Sequence, residues 1–68
     1  MSATSDFYQA RAAESALEAE KALLDNVRNR ALRSEAAWRA MADRLTRAET
    51  MRTQQAAEKS ERAQEQAA

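Results

Sequence analysis

The chain has 68 residues, with 11 basic and 11 acidic side chains that give a formal net charge of zero, and it contains no Gly, Pro, Cys or His. This composition excludes a disulfide framework, a Cys/His zinc site and a Gly-rich phosphate loop. No apolar run approaches the roughly 18 residues needed to span a bilayer. Of the apolar residues 18 are Ala and only 12 are larger, so we expect one small domain with a thin core.

The composition predicts an all-α chain. Ala, Leu, Gln, Glu, Arg and Lys dominate, and these are the strongest helix formers. β-Branched residues are scarce, with one Val and no Ile, whereas strands are normally rich in them.

A first helix is predicted over about residues 6–23, after a disordered N-terminus at 1–5. Thr4, Ser5 and Asp6 are all suitable N-cap residues. Apolar residues then recur at three- and four-residue steps and define one face. That face consists of Tyr8, Ala12, Ala16, Ala19 and Leu23.

Asp25-Asn26 is the best break in the chain, and it predicts a turn over about 24–26. Asn tolerates the left-handed conformation that often ends a helix, and Asp is a strong N-cap. Because the break contains neither Gly nor Pro, one continuous helix remains the alternative.

The second helix is predicted over about residues 27–52. Its apolar stripe has a repeat of 3.5 residues, which is typical of a coiled-coil seam. The stripe consists of Val27, Ala31, Ser34, Trp38, Met41, Leu45 and Ala48. Beyond it, residues 53–68 offer only Ala as apolar content, and we expect this polar tail to be frayed or disordered.

A turn at 25–26 makes the two helices antiparallel, with facing residue numbers that add to about 51. This register places Trp38 against the alanines near Ala12, Ala13 and Ala16. The side chains predicted to hold the hairpin are Tyr8, Leu23, Val27, Trp38, Met41 and Leu45. The leucines left over for an outer interface are Leu17, Leu24 and Leu32.

Charge is distributed unevenly along the chain. The net charge is −3 over residues 1–27, +4 over 28–52 and −1 over 53–68. The basic surface that could neutralise phosphates consists of Arg28, Arg30, Arg33, Arg39, Arg44 and Arg47. We expect these arginines to surround the helix rather than to form one stripe, so nucleic-acid binding is the less favoured hypothesis.

Several short segments resemble a group of small uncharacterised bacterial helical-hairpin proteins over about residues 7–52. The segments are Phe7-Tyr8, Arg11-Ala12-Ala13, Leu24-Asp25-Asn26-Val27-Arg28, Leu32-Arg33-Ser34-Glu35-Ala36-Ala37-Trp38 and Met41-Ala42. Many such proteins have Pro after the turn Asp, where this chain has Asn26. The resemblance implies a helical hairpin and a bacterial, cytoplasmic origin, and it implies no activity, substrate or cofactor.

The function expected from the sequence is therefore protein association by a non-enzymatic helical hairpin, either with itself or with another protein. Without His or Cys, and with only two helices to enclose a pocket, we expect no catalytic residue, metal site, cofactor or small-molecule substrate. Membrane-surface binding is not expected either, because the apolar faces are rich in Ala and lack a basic rim.

Overall fold

A computed structural model describes residues 3–67 and shows two helices and no strand within that range. Helix α1 spans Ala3–Lys21 and helix α2 spans Asp25–Ala67. The predicted all-α, antiparallel two-helix hairpin is confirmed, and the connection at 22–24 rules out one continuous helix. The chain is a rod of 66 × 16 × 12 Å with a radius of gyration of 18.8 Å, against about 11 Å for a compact domain of this length.

The helices meet along small side chains. In α1 the buried residues are Ser5, Ala12, Ser15 and Ala19, and in α2 they are Ala31 and Ala42. Side chains this small let two helices approach closely. Consequently no residue larger than Ala is fully buried among the described apolar residues, and Tyr8, Trp38 and Leu45 are only half-buried.

The connection differs from the predicted turn. It lies at residues 22–24, and Asp25 and Asn26 already belong to α2. None of the described residues has a positive φ, so the left-handed conformation expected of Asn26 is not used. The Leu24 carbonyl instead accepts the first helical bond of α2, from the Arg28 N–H at 3.0 Å.

Arg28 holds the connection together. Its Nη2 donates to the Ala22 carbonyl at 3.0 Å and its Nη1 donates to Asp25 Oδ1 at 3.1 Å. The first bond satisfies one of the carbonyls that the end of α1 leaves unpaired. Asp25 itself lies in the first turn of α2, where a negative charge is favourable.

α1 begins before the predicted residue 6 but ends at Lys21, short of the predicted 23, whereas α2 extends further than predicted at both ends. Ala3, Thr4 and Ser5 are helical, and Ser5 is completely buried, so this segment is not a disordered N-terminus. At the other end α2 continues past residue 52 to Ala67, because its last segment contains strong helix formers and no Gly or Pro. The remaining predicted terminal residues, 1–2 and 68, lie outside the described residues.

α2 is much longer than α1. At 1.5 Å per residue its 43 residues cover about 64 Å, whereas the 19 residues of α1 cover about 28 Å. Residues 50–67 therefore project beyond the hairpin, and every one of them is exposed. We call this segment the overhang.

Candidate protein interface

An aromatic cluster of Phe7, Tyr8 and Trp38 lies near the open end of the hairpin. The Trp38 ring lies 6.0 Å from Phe7 in an edge-on arrangement and 5.6 Å from Tyr8 at a tilt of 32°. The rings of Phe7 and Tyr8 are themselves 5.8 Å apart. These separations fall in the range in which aromatic pairs attract each other beyond simple burial.

A cation completes this cluster. Arg11 Cζ lies 5.5 Å from the centroid of Trp38, and Arg11 Nη1 also contacts Glu14 Oε2 at 2.8 Å. A guanidinium in this position is attracted by the negative face of the indole. This contact was not predicted from the sequence. The available signal was the spacing: Arg11 lies four residues after Phe7 and three after Tyr8, on the same part of the helix surface.

The predicted partners of Trp38 were wrong, because the register between the helices differs from the predicted one. The indole contacts Phe7, Tyr8 and Arg11, about one turn nearer the N-terminus than the alanines that we expected. The cause is the position of the connection: centred on Leu23, it makes facing residue numbers add to about 46 instead of 51. Ala12 is still buried, but Ala13 is exposed.

Most of the predicted hairpin residues do lie between the helices. Tyr8, Val27, Trp38, Met41 and Leu45 are all half-buried. Leu23 is the exception, with 95% of its surface exposed. α1 ends at Lys21, so Leu23 lies in the connection and no longer follows the helix face that was used to place it.

The predicted faces also differ from the structure at neighbouring positions. Ser15 is buried beside Ala16, which is half-buried, and Ala22 is half-buried at the position assigned to Leu23. In α2, Ser34 is exposed and Glu35 takes its place as a half-buried residue. The Glu35 carboxylate reaches Arg39 at 2.6 Å, and this ion pair lets it lie beside the seam.

The three leucines predicted for an outer interface are exposed. Leu17, Leu24 and Leu32 expose 52%, 62% and 45% of their surface. Leu32 borders a groove of about 410 Å³ that runs between the helices. The groove is lined by Ala16, Ala19, Glu20, Arg28, Leu32 and Glu35. We call this groove, together with Leu17 and Leu24, the leucine face.

A second groove, of about 390 Å³, lies beside the aromatic cluster at the end where α1 begins. It is lined by Tyr8, Met41, Arg44, Leu45 and Ala48. Tyr8 and Leu45 therefore share one groove. Both grooves lie on the surface of a two-helix rod.

The six predicted basic residues fall into two groups. Arg28 and Arg39 each make an ion pair on their own helix, with Asp25 and Glu35. Within residues 3–67, the other four have no hydrogen-bond or ion-pair partner for the side chain. These four are Arg30, Arg33, Arg44 and Arg47.

Comparison with protein-family models, with curated proteins and with solved structures finds no match to this chain. Among the described residues, no helix is both long enough and apolar enough to cross a membrane. Within the same range, no group of three or more acidic, His or Cys side chains is arranged to hold a metal ion.

Proposed function

We propose that the chain is a non-enzymatic interaction module that associates with a second copy of itself through the leucine face. One observation carries this proposal: only Ala and Ser are fully buried among the described residues, while the larger apolar side chains are half-buried or exposed. Small domains with so little buried apolar surface normally gain stability from a partner.

The geometry of the leucine face suits a second copy. Leu32 borders the groove, and Leu17 lies at nearly the same height along the rod, because their numbers add to within a few residues of the register of the hairpin. Leu17 is on the outer side of α1, next to the groove residue Glu20. A second copy related by a two-fold axis would bring four helices together, with Leu32 at the groove and Leu17 at the α1 edge of the contact.

The charges around this face do not oppose self-association. Arg28 and Glu35 line the groove, and each is ion-paired on its own helix, with Asp25 and Arg39 respectively. Glu20 also lines the groove and adds one negative charge. Two ion pairs and one further carboxylate leave little net charge to repel a second copy. Exposed ion pairs also resemble the polar rim that surrounds the apolar centre of protein interfaces.

The oligomeric state tests this proposal directly. We expect the native chain to sediment as a dimer at high micromolar concentration and to dissociate on dilution. The double substitution Leu17→Glu, Leu32→Glu should give a monomer of unchanged helicity, since it buries two carboxylates in the proposed contact.

Met51→Glu is the matched control. Met51 exposes 54% of its surface, about as much as Leu17, but it lies in the overhang, away from the leucine face. This variant should dimerise like the native chain. A native chain that stays monomeric up to millimolar concentration, or a double variant that still dimerises, would contradict the proposal.

A cytoplasmic, bacterial origin is part of the same proposal. It is supported by the resemblance of residues 7–52 to small bacterial hairpin proteins. Cell fractionation with an antibody against the chain tests it, and recovery in any fraction other than the cytoplasm would contradict it.

A further inference from the structure

The four arginines without a partner lie on one side of α2. At 100° per residue, Arg30, Arg33, Arg44 and Arg47 fall within about 100° of arc, centred opposite the buried residues Ala31 and Ala42. The sequence alone indicated arginines all round the helix. The structure separates them, because the two on the remaining arc are those that form ion pairs. We call the surface of these four arginines the basic face.

Along the stretch of α2 that carries these four arginines, the arc of the basic face contains no acidic side chain, and Ala37 and Ala40 occupy the positions between the two pairs of arginines. Glu35 and Glu49 are half-buried towards α1. Asp43 lies at the edge of the basic face, four residues before Arg47 and about 40° from it, but the described residues show no ion pair between them. The basic face therefore carries four positive charges with one carboxylate at its edge, although the whole chain has a net charge of zero.

The shape of this face restricts its partner. Arg30 and Arg47 are 17 positions apart, which is about 26 Å along a straight helix. Between them, within the arc that these arginines occupy, there is no aromatic or large aliphatic side chain to act as the apolar anchor of a protein interface. Arg44 also borders the second groove, beside Met41 and Leu45. A line of unpaired guanidinium groups without such an anchor fits a partner that presents a regular row of negative charges.

We propose that the basic face binds the phosphate backbone of double-stranded nucleic acid. Duplex DNA carries one negative charge per about 1.7 Å of its axis, so a straight line of arginines about 26 Å long finds phosphates along its whole length. Guanidinium groups bind phosphate oxygens through two parallel hydrogen bonds. The leucine face lies elsewhere on the rod, so this inference does not depend on the proposed function.

The experiment measures the affinity for a fluorescent 24-base-pair DNA duplex of random sequence between 50 and 200 mM salt. Four phosphate contacts predict a slope of about −3.6 in a plot of log K against log salt. Arg33→Gln, Arg44→Gln should reduce the slope to about −1.8 and weaken binding at 50 mM salt on the order of 100-fold.

Arg52→Gln, Lys59→Gln is the matched control, since it removes the same amount of positive charge from exposed positions of the overhang, outside the arc of the basic face. It should leave the slope near that of the native chain. Equal weakening by the two double variants would overturn the proposal, because net charge alone would then explain binding. The absence of duplex binding at 50 mM salt would overturn the proposal as well. Binding of polyglutamate in place of the duplex would likewise overturn it, because the partner would then be an acidic polypeptide.

Sedimentation of these double variants distinguishes the two proposals. They should retain the oligomeric state of the native chain, because none of the substituted side chains belongs to the leucine face. Loss of DNA binding with an unchanged oligomeric state supports the basic face. A changed oligomeric state in Arg33→Gln, Arg44→Gln alone would overturn the assignment of this face to nucleic acid.

Discussion

The indole of Trp38 joins α2 to three side chains of α1, namely Phe7, Tyr8 and Arg11. The fully buried residues are Ala and Ser, which contribute little apolar area each, and Val27, Met41 and Leu45 are only half-buried. At the scale of single residues, the stability of the hairpin is therefore concentrated in this aromatic cluster.

Trp38→Ala should lower the free energy of unfolding by roughly 2–3 kcal/mol, somewhat less than for a fully buried Trp, because the ring is only half-buried. Urea unfolding followed by circular dichroism measures the change. Leu23→Ala is the control: it also truncates a large apolar side chain, but one that is 95% exposed, and it should cost less than about 0.5 kcal/mol. Equal costs for both variants would contradict the packing described here.

The sequence predicted Trp38 as a packing residue but not its neighbours. Its place in an apolar stripe follows from helical periodicity, which is a local property of one helix. Its partners depend on the register between two helices, and moving the connection from Asp25-Asn26 to residues 22–24 shifts that register by about one turn. Leu23 was misplaced for the same reason.

At the scale of helices, α1 and the first half of α2 support each other, whereas the overhang has no partner within the described residues. A helix without packing is marginal in water, even when its residues are good helix formers. The composition of residues 53–67 predicted helix propensity correctly. It could not show whether a helix would form there, since that depends on the balance between propensity and missing tertiary contacts.

Hydrogen exchange should reveal this difference between the two parts of α2. Amides of residues 55–67 should exchange within seconds at neutral pH, close to the rate of an unprotected chain. Those of residues 30–42 should be protected by orders of magnitude more, because their exchange requires opening of the hairpin. Equal protection along α2 would show that the overhang is packed against another chain.

The inner face of α2 is broader than the predicted stripe. Its buried and half-buried residues are Val27, Ala31, Glu35, Trp38, Met41, Ala42, Leu45, Ala48 and Glu49. Six of the seven predicted stripe residues are among them, and only Ser34 is exposed. Helical periodicity is a local property, so the sequence predicted most of this face. Glu35 could not be predicted there, because its place depends on the ion pair with Arg39 in the folded chain.

At the scale of the whole molecule, the hairpin presents two separate surfaces on a rod 66 Å long. The leucine face lies beside the groove between the helices, and the basic face lies on the far side of α2. The sequence supplied the residues of both surfaces. Only the structure showed which arginines are paired, since ion pairing and position relative to α1 are properties of the folded chain.

All of these surfaces depend on the chain reversing direction at residues 22–24. Spin labels at Thr4→Cys and Asp43→Cys test this reversal, because both positions are exposed and the native chain has no Cys. The labels should be diluted with unlabelled protein, so that only distances within one molecule are measured. The hairpin predicts a distance below about 25 Å, since packed helices lie 8–10 Å apart. A distance of about 58 Å, the length of 39 residues in one straight helix, would contradict the hairpin.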